Sequence, residues 1–244
     1  MINAVCEEER ELTDTQATLR RDWSDEQLAI RPRSYKWKDV AFCDEFHFGI
    51  GPQVTLRVKR KRGKEYCYAP YNVHRKKHTS KDTKAKARET EHLKLLNVFV
   101  IIGFNYRRCI PYEVPNDVGK MTTKVYTQHI LPLIREDLRR EDLTLCQDAD
   151  SAHTSKATLK YAREEGIKLL TLPGVSPDLS ICETMANPLK RAFHSRRCAS
   201  EKAALAWFQQ VFDEMDQLKV QGLYNWYTKR LHDCKRAGGQ MTRY

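Results

Sequence analysis

The 244-residue sequence predicts a layered α/β fold, with a mixed sheet laid down first and a run of helices at the C-terminus. Three observations carry this. Apolar runs of strand length recur between residues 37 and 172; amphipathic stretches of helical period are interleaved with the later runs; and beyond Ser176 only the helical period remains. An apolar content of 41% is ordinary for a globular chain and supports one sizeable core without disulfides.

Residues 1–36 read as a charged, helical lead-in or linker remnant, set apart from the basic remainder by Glu7, Glu8, Glu9 and Glu11. Residues 37–43 form the first expected strand, ending at Asp44. Residues 54–59, with Val54, Leu56 and Val58 alternating, form a second strand expected to pair with it through the Gly49-Ile50-Gly51-Pro52 turn. The continuous apolar run 95–104 suits a strand buried on both faces. Residues 107–114 would be its neighbour, with Pro111 confining that neighbour to an edge.

Residues 122–138 repeat apolar side chains at helical spacing, with Pro132 expected to bend the helix. Residues 143–146 make a strand that delivers Asp148 just past its end. A helix over 152–165 follows, capped by Ser151 and stopped by Gly166, and then a short strand over 167–172. Ser176 and Pro177 start a helix that carries Glu183 towards Arg196; two more helices are expected over 200–218 and 223–236. Acids on an early strand, a later strand and a late helix are the order of a ribonuclease-H-like mixed sheet flanked by helices.

Lys and Arg outnumber Asp and Glu by 43 to 32, a net charge of +11 that favours a polyanionic partner. The eight cysteines make no Cys-x-x-Cys pair and no apolar leader opens the chain, which predicts a reducing compartment. The longest apolar run, 98–104, falls far short of the ~20 residues a membrane span needs. Thirteen cations lie between Arg57 and Arg88, interleaved with Tyr66, Tyr68 and Tyr71. Such a run is either a solvated loop or a surface that tracks a nucleic-acid backbone; Lys59, Arg60, Lys61, Arg62, Lys64, Arg75, Lys76 and Lys77 are the candidate DNA contacts. The cluster at 59–64 also matches a nuclear-import signal, a low-specificity pattern.

Asp44, Asp148 and Glu183 are the candidate catalytic and metal-binding residues. An isolated Asp at a strand end is usually a turn or cap residue. Three acids placed by separate elements are how a fold gathers hard oxygen ligands around divalent metal. Alternation turns Glu45 away from Asp44, and Asp150 reads as a helix cap. His153 is either a satisfied core histidine or a support that orients the Asp148 ligand.

The contexts of the acids are specific: Trp37-x-x-Val40-x-Phe42-x-Asp44-Glu45-x-His47-Phe48, then Gln147-Asp148-x-x-x-x-His153-Thr154-Ser155, then Ser176-Pro177-Asp178-Leu179 ahead of Glu183. In order and spacing the sequence resembles the catalytic domain of the mariner superfamily of DDE transposases, from about Trp37 to Tyr244. The resemblance implies one domain over 37–244 with Mg²⁺ as cofactor. Asp44 would bridge two ions, Asp148 and Glu183 would each hold one, and Mn²⁺ would substitute. It further implies cleavage at transposon ends, joining to target DNA, work in the nucleus, a homodimer on paired ends, and no small-molecule cofactor.

The sequence departs from the family at Ala149, usually Asn, at Ala152, usually Pro, and through residues 180–186. Pro188, a turn beyond Glu183, predicts a kink costing ~3 kcal/mol if the helix stays straight. Only about 40 residues precede Asp44, where the family places a helix-turn-helix region, so the expected unit is a catalytic domain with part of its linker. Two rivals follow: a degenerate or domesticated fragment that binds nucleic acid without cutting it, and a different nuclease on the same core.

Overall fold

The computed structural model describes residues 2–5, 12–50, 57–60, 94–114, 120–196, 198 and 200–244. In chain order the strands are β1 (Ile2–Val5), β2 (Val40–Ile50), β3 (Arg57–Arg60), β4 (Lys94–Ile102), β5 (Arg107–Pro111), β6 (Thr144–Gln147) and β7 (Lys168–Thr171). The helices are α1 (Asp14–Ile30), α2 (Leu131–Arg140), α3 (Lys156–Glu164), α4 (Ile181–Phe193), α5 (Glu201–Asp213), α6 (Gln217–Asn225) and α7 (Tyr227–Arg236).

The central sheet has the order β5-β4-β2-β6-β7. The β2/β4 and β4/β5 pairs are antiparallel, whereas β2/β6 and β6/β7 are parallel. This is the predicted mixed sheet. Alternation along β2 splits the core in two. Val40, Phe42, Phe46 and Phe48 pack under the C-terminal helices, while Ala41 and Cys43 pack with Tyr126, Ile130 and Ile134 on the other face. Trp37 is fully buried, 4.4 Å from the Tyr227 ring, and its indole N–H donates to the Arg31 carbonyl.

Several elements depart from the sequence reading for local reasons. β2 does not end at Asp44: it continues to Ile50 along β4, and only its pairing with β6 stops. β3 pairs with β1 in a separate two-stranded sheet and not with β2. The stretch before α2 is one α-helical turn followed by a wide π turn, Tyr126–Ile130, which leaves Pro132 in the first turn of α2, where a missing N–H costs nothing. The helix expected over 152–165 breaks at Ser155. Asp150 caps a single turn, Ser151–Thr154, and Ser155 caps α3, with Gly166 at φ 65° as its stop.

Ser176 opens only a 3₁₀ turn, and Ser180 is the cap of α4. The two final helices become three because Asp216 caps α6 and a break at Trp226 precedes α7. The kink expected at Pro188 does not interrupt α4, which runs unbroken to Phe193. Pro188 is exposed, and the burial of Met185, Ala186, Leu189 and Phe193 holds the helix to the core.

The lead-in helix α1 starts with a full capping box between Thr13 and Gln16. It then lies against α7 and the chain end. The buried Arg20 guanidinium donates to the carbonyls of Gly239 and Val175, at 2.7 and 2.9 Å, and to Asp178 Oδ2 at 2.8 Å. Gly239 has φ 86°, and a Cβ there would lie 1.8 Å from the Ala17 carbonyl oxygen. Gly239→Ala should therefore cost about 2 kcal/mol or more, read as a fall of roughly 4–8 °C in the thermal midpoint. An unchanged midpoint would show that the chain end is not docked against α1.

Candidate active site

Sheet register brings the first two acids together. The parallel register that pairs Phe42 with Cys146, continued two residues, sets Asp44 beside Asp148. Asp148 leaves the sheet at the carboxyl end of β6, and Asp44 lies on β2 just past the point where its pairing with β6 stops, the rim where open α/β sheets present their ligand sites. Glu183 arrives from the opposite side of the cleft in the first turn of α4, whose cap Ser180 accepts the Glu183 N–H. The neighbouring Cys182 thiol donates to the Phe42 carbonyl at 3.1 Å and ties α4 to β2.

Asp44, Asp148 and Glu183 line one cleft of about 270 Å³, together with Cys43, Asp150, Ser180 and the segment 172–177. Val175 in that segment holds φ 55°, a strained value for a β-branched residue, and its carbonyl is fixed by Arg20.

The electrostatics show how tightly the acids are gathered. Burial and then the nearby Glu183 and Asp148 charges push the Asp44 carboxyl up to about 7, against a hydrogen bond from the Glu45 N–H. Burial also acts to raise Asp148, but the His153 ring overrides it and holds that carboxyl below its ordinary value. Asp148 Oδ1 lies 2.6 Å from His153 Nδ1 and also accepts the Asp150 N–H at 3.0 Å. Burial acts to lower His153, yet Asp148 and Glu45 on its two sides raise it to about 9. Among the described residues no three His, Cys, Asp or Glu side chains are drawn close enough to close around one ion. The three carboxylates line a shared cleft.

That donor set fits hard divalent cations: the oxygens are anionic, they share a cleft, and their repulsion is what a bound cation relieves. His153 is a buried partner of Asp148, 3% exposed, and Asp150 caps the following turn as expected. Of the basic stretch, Lys59 and Arg60 lie on β3, whereas Lys61, Arg62, Lys64, Arg75, Lys76 and Lys77 lie outside the described residues.

Sequence reasoning missed three supports. Tyr126 donates to Gln147 Oε1 at 2.8 Å, and Gln147 donates to the His153 carbonyl at 3.1 Å, so the residue before Asp148 anchors the turn after it. Asp178, read as part of a helix start, is buried on Arg20 and Thr242. Glu45 lies 3.1 Å from His153 Nε2. The only signal for these was their place inside the quoted motifs, which does not reveal a partner.

The fold and cleft together define a ribonuclease-H-like domain with an acidic cleft. A family model described as DDE superfamily endonuclease matches residues 39–206, more than half of the sequence, and the chain belongs to that family. The crystal structure of the catalytic domain of Mos1 mariner transposase superposes with a TM-score of 0.71 at 13% identity, covering 97% of this chain and 100% of that one. The Mos1 mariner paired end complex with Mn gives 0.67 at 16% identity, covering 96% of this chain and 65% of that one. The Mos1 strand transfer complex gives 0.67 at 16% identity, with 96% and 64% covered. No curated protein matches the sequence. The chain thus has a DDE transposase catalytic domain fold, like that of Mos1.

Proposed function

We propose that this chain cuts DNA strands at transposon ends and joins the freed 3′ hydroxyl to target DNA, with Mg²⁺ or Mn²⁺ as cofactor. The observation that carries the reading is the convergence of Asp44, Asp148 and Glu183 on one cleft from β2, the end of β6 and α4. Asp44, Asp148 and Glu183 would hold the cations between them. When bound there, divalent cations would supply activation of the attacking oxygen and offset charge on the leaving one. His153 keeps Asp148 ionised and turned, and the 172–177 segment with α4 walls the cleft.

The net charge of +11 supports DNA as the partner, and Lys59 and Arg60 on β3 head the basic stretch proposed to contact it. The structure of a Mos1 mariner paired end complex with Mn supports divalent metal use and transposon-end DNA as a partner, and a homodimer on paired ends belongs to the same proposal. Among the described residues no helix is long and apolar enough to cross a membrane. Action on chromosomal DNA would call for work in the nucleus, which is part of the proposal. The purified chain should nick supercoiled plasmid DNA when Mg²⁺ or Mn²⁺ is added and stop when the metal is chelated. Salt-sensitive DNA binding without any metal-dependent nicking would overturn the reading in favour of a non-cutting fragment.

A further inference from the structure

Glu45 is a semi-buried carboxylate that the cleavage chemistry does not use. It lies on the face of β2 opposite Asp44, and its side chain is 15% exposed. Its Oε1 and the Nε2 of His153 are both buried without a hydrogen bond among the described residues, and they stand 3.1 Å from each other. The approach is an ion-pair contact. The other ring nitrogen of His153 lies 2.6 Å from Asp148 Oδ1, and Tyr126 packs against the ring at 4.5 Å.

The Asp148 side chain is 58% exposed and would otherwise turn freely. Its Oδ1 is engaged by His153 and by the Asp150 N–H, so Oδ2 is the oxygen left for the cleft. A ring held by a carboxylate on only one side can rotate; one held on both sides cannot.

We propose that Glu45 is a positioning residue for metal binding, acting through His153 to hold Asp148 with one oxygen presented to a divalent cation. The inference rests on the metal-dependent reading above, and supports of this kind govern metal affinity when they hold a ligand's orientation.

The test is Mn²⁺ binding to the full chain by calorimetry, without DNA, beside thermal melts. Glu45→Leu should weaken Mn²⁺ affinity about 10- to 100-fold. Glu45→Gln, which keeps the shape but removes the charge, should restore only part of it. In a His153→Ala background, Glu45→Leu should add nothing. A folded Glu45→Leu variant that binds Mn²⁺ like the parent, or an equal loss with and without His153, would overturn the proposal.

Should Glu45→Leu not fold, Glu45→Asp keeps the charge but falls one methylene short of the ring. A loss of several-fold is then expected, and unchanged affinity counts against the role. If the parent binds Mn²⁺ no better than Asp148→Asn does, the metal reading itself fails and carries this inference down with it.

Discussion

Asp148→Asn should lower metal-dependent nicking by about a thousandfold or more while leaving the fold intact. The amide matches the carboxylate in shape and can still accept from His153 and from the Asp150 N–H, so the turn after β6 keeps its hydrogen bonds. What it loses is charge. Metal-centred stabilisation of a phosphodiester transition state is worth several kcal/mol, and about 4 kcal/mol corresponds to roughly a thousandfold in rate. Asp44→Asn should behave alike, because its carboxyl sits at the crowded centre of the three acids. Asp142→Asn is the control: that exposed residue pairs with Lys168, and its φ of 51° is one Asn tolerates. Initial nicking rates, read beside circular dichroism and thermal midpoints, separate lost chemistry from lost fold. Equal nicking by Asp148→Asn and the parent would remove Asp148 from the site.

The sheet and the three acids were legible because their signals are local. Leu145 and Cys146 are buried side by side at the end of β6, and an apolar stretch that closes on an acid marks a strand that hands its carboxylate to the sheet's rim. Long-range pairing left no such mark. Arg20 and Asp178 meet across 158 residues, and nothing near either position names the other. The alternation that turned Glu45 from Asp44 was read correctly, but it could not say that His153 waits on that face. Helix ends failed for a related reason. Ser155 and Asp216 are ordinary polar residues inside a helical pattern, and only their side-chain bonds to Thr158 and Leu218 turn them into caps. The π turn ahead of Pro132 likewise depends on Tyr126 reaching Gln147 on the sheet, a contact that periodicity cannot express.

Arg20→Met should destabilise the protein by about 3–5 kcal/mol at neutral pH. Arg20 is fully buried and Asp178 is 2% exposed, so removing the guanidinium strands a carboxylate in the core. Thr242, which donates to the same oxygen through its N–H and its hydroxyl, cannot supply the missing charge. Replacing both partners, Arg20→Met with Asp178→Leu, should recover only part of the loss, because no charge is then stranded but the Gly239 and Val175 carbonyls and Thr242 lose their partners.

The pH dependence gives an independent check. Burial acts to raise the Asp178 carboxyl, but the hydrogen bonds from Arg20 and Thr242 outweigh it and the net shift is downward. A carboxyl lowered on folding adds stability that is complete above its unfolded value, near 3.9, and is lost as pH falls through the lower folded value. In Arg20→Met the same carboxyl is buried without its cation, so protonation relieves the variant. The stability gap between parent and variant should therefore narrow as pH drops from about 7 to about 4, in denaturant melts at each pH. Because Arg20 also holds the Val175 carbonyl beside the cleft, the variant should lose nicking even at temperatures where it remains folded. A gap that stays constant with pH would mean that the destabilisation arises from lost packing and not from the stranded charge.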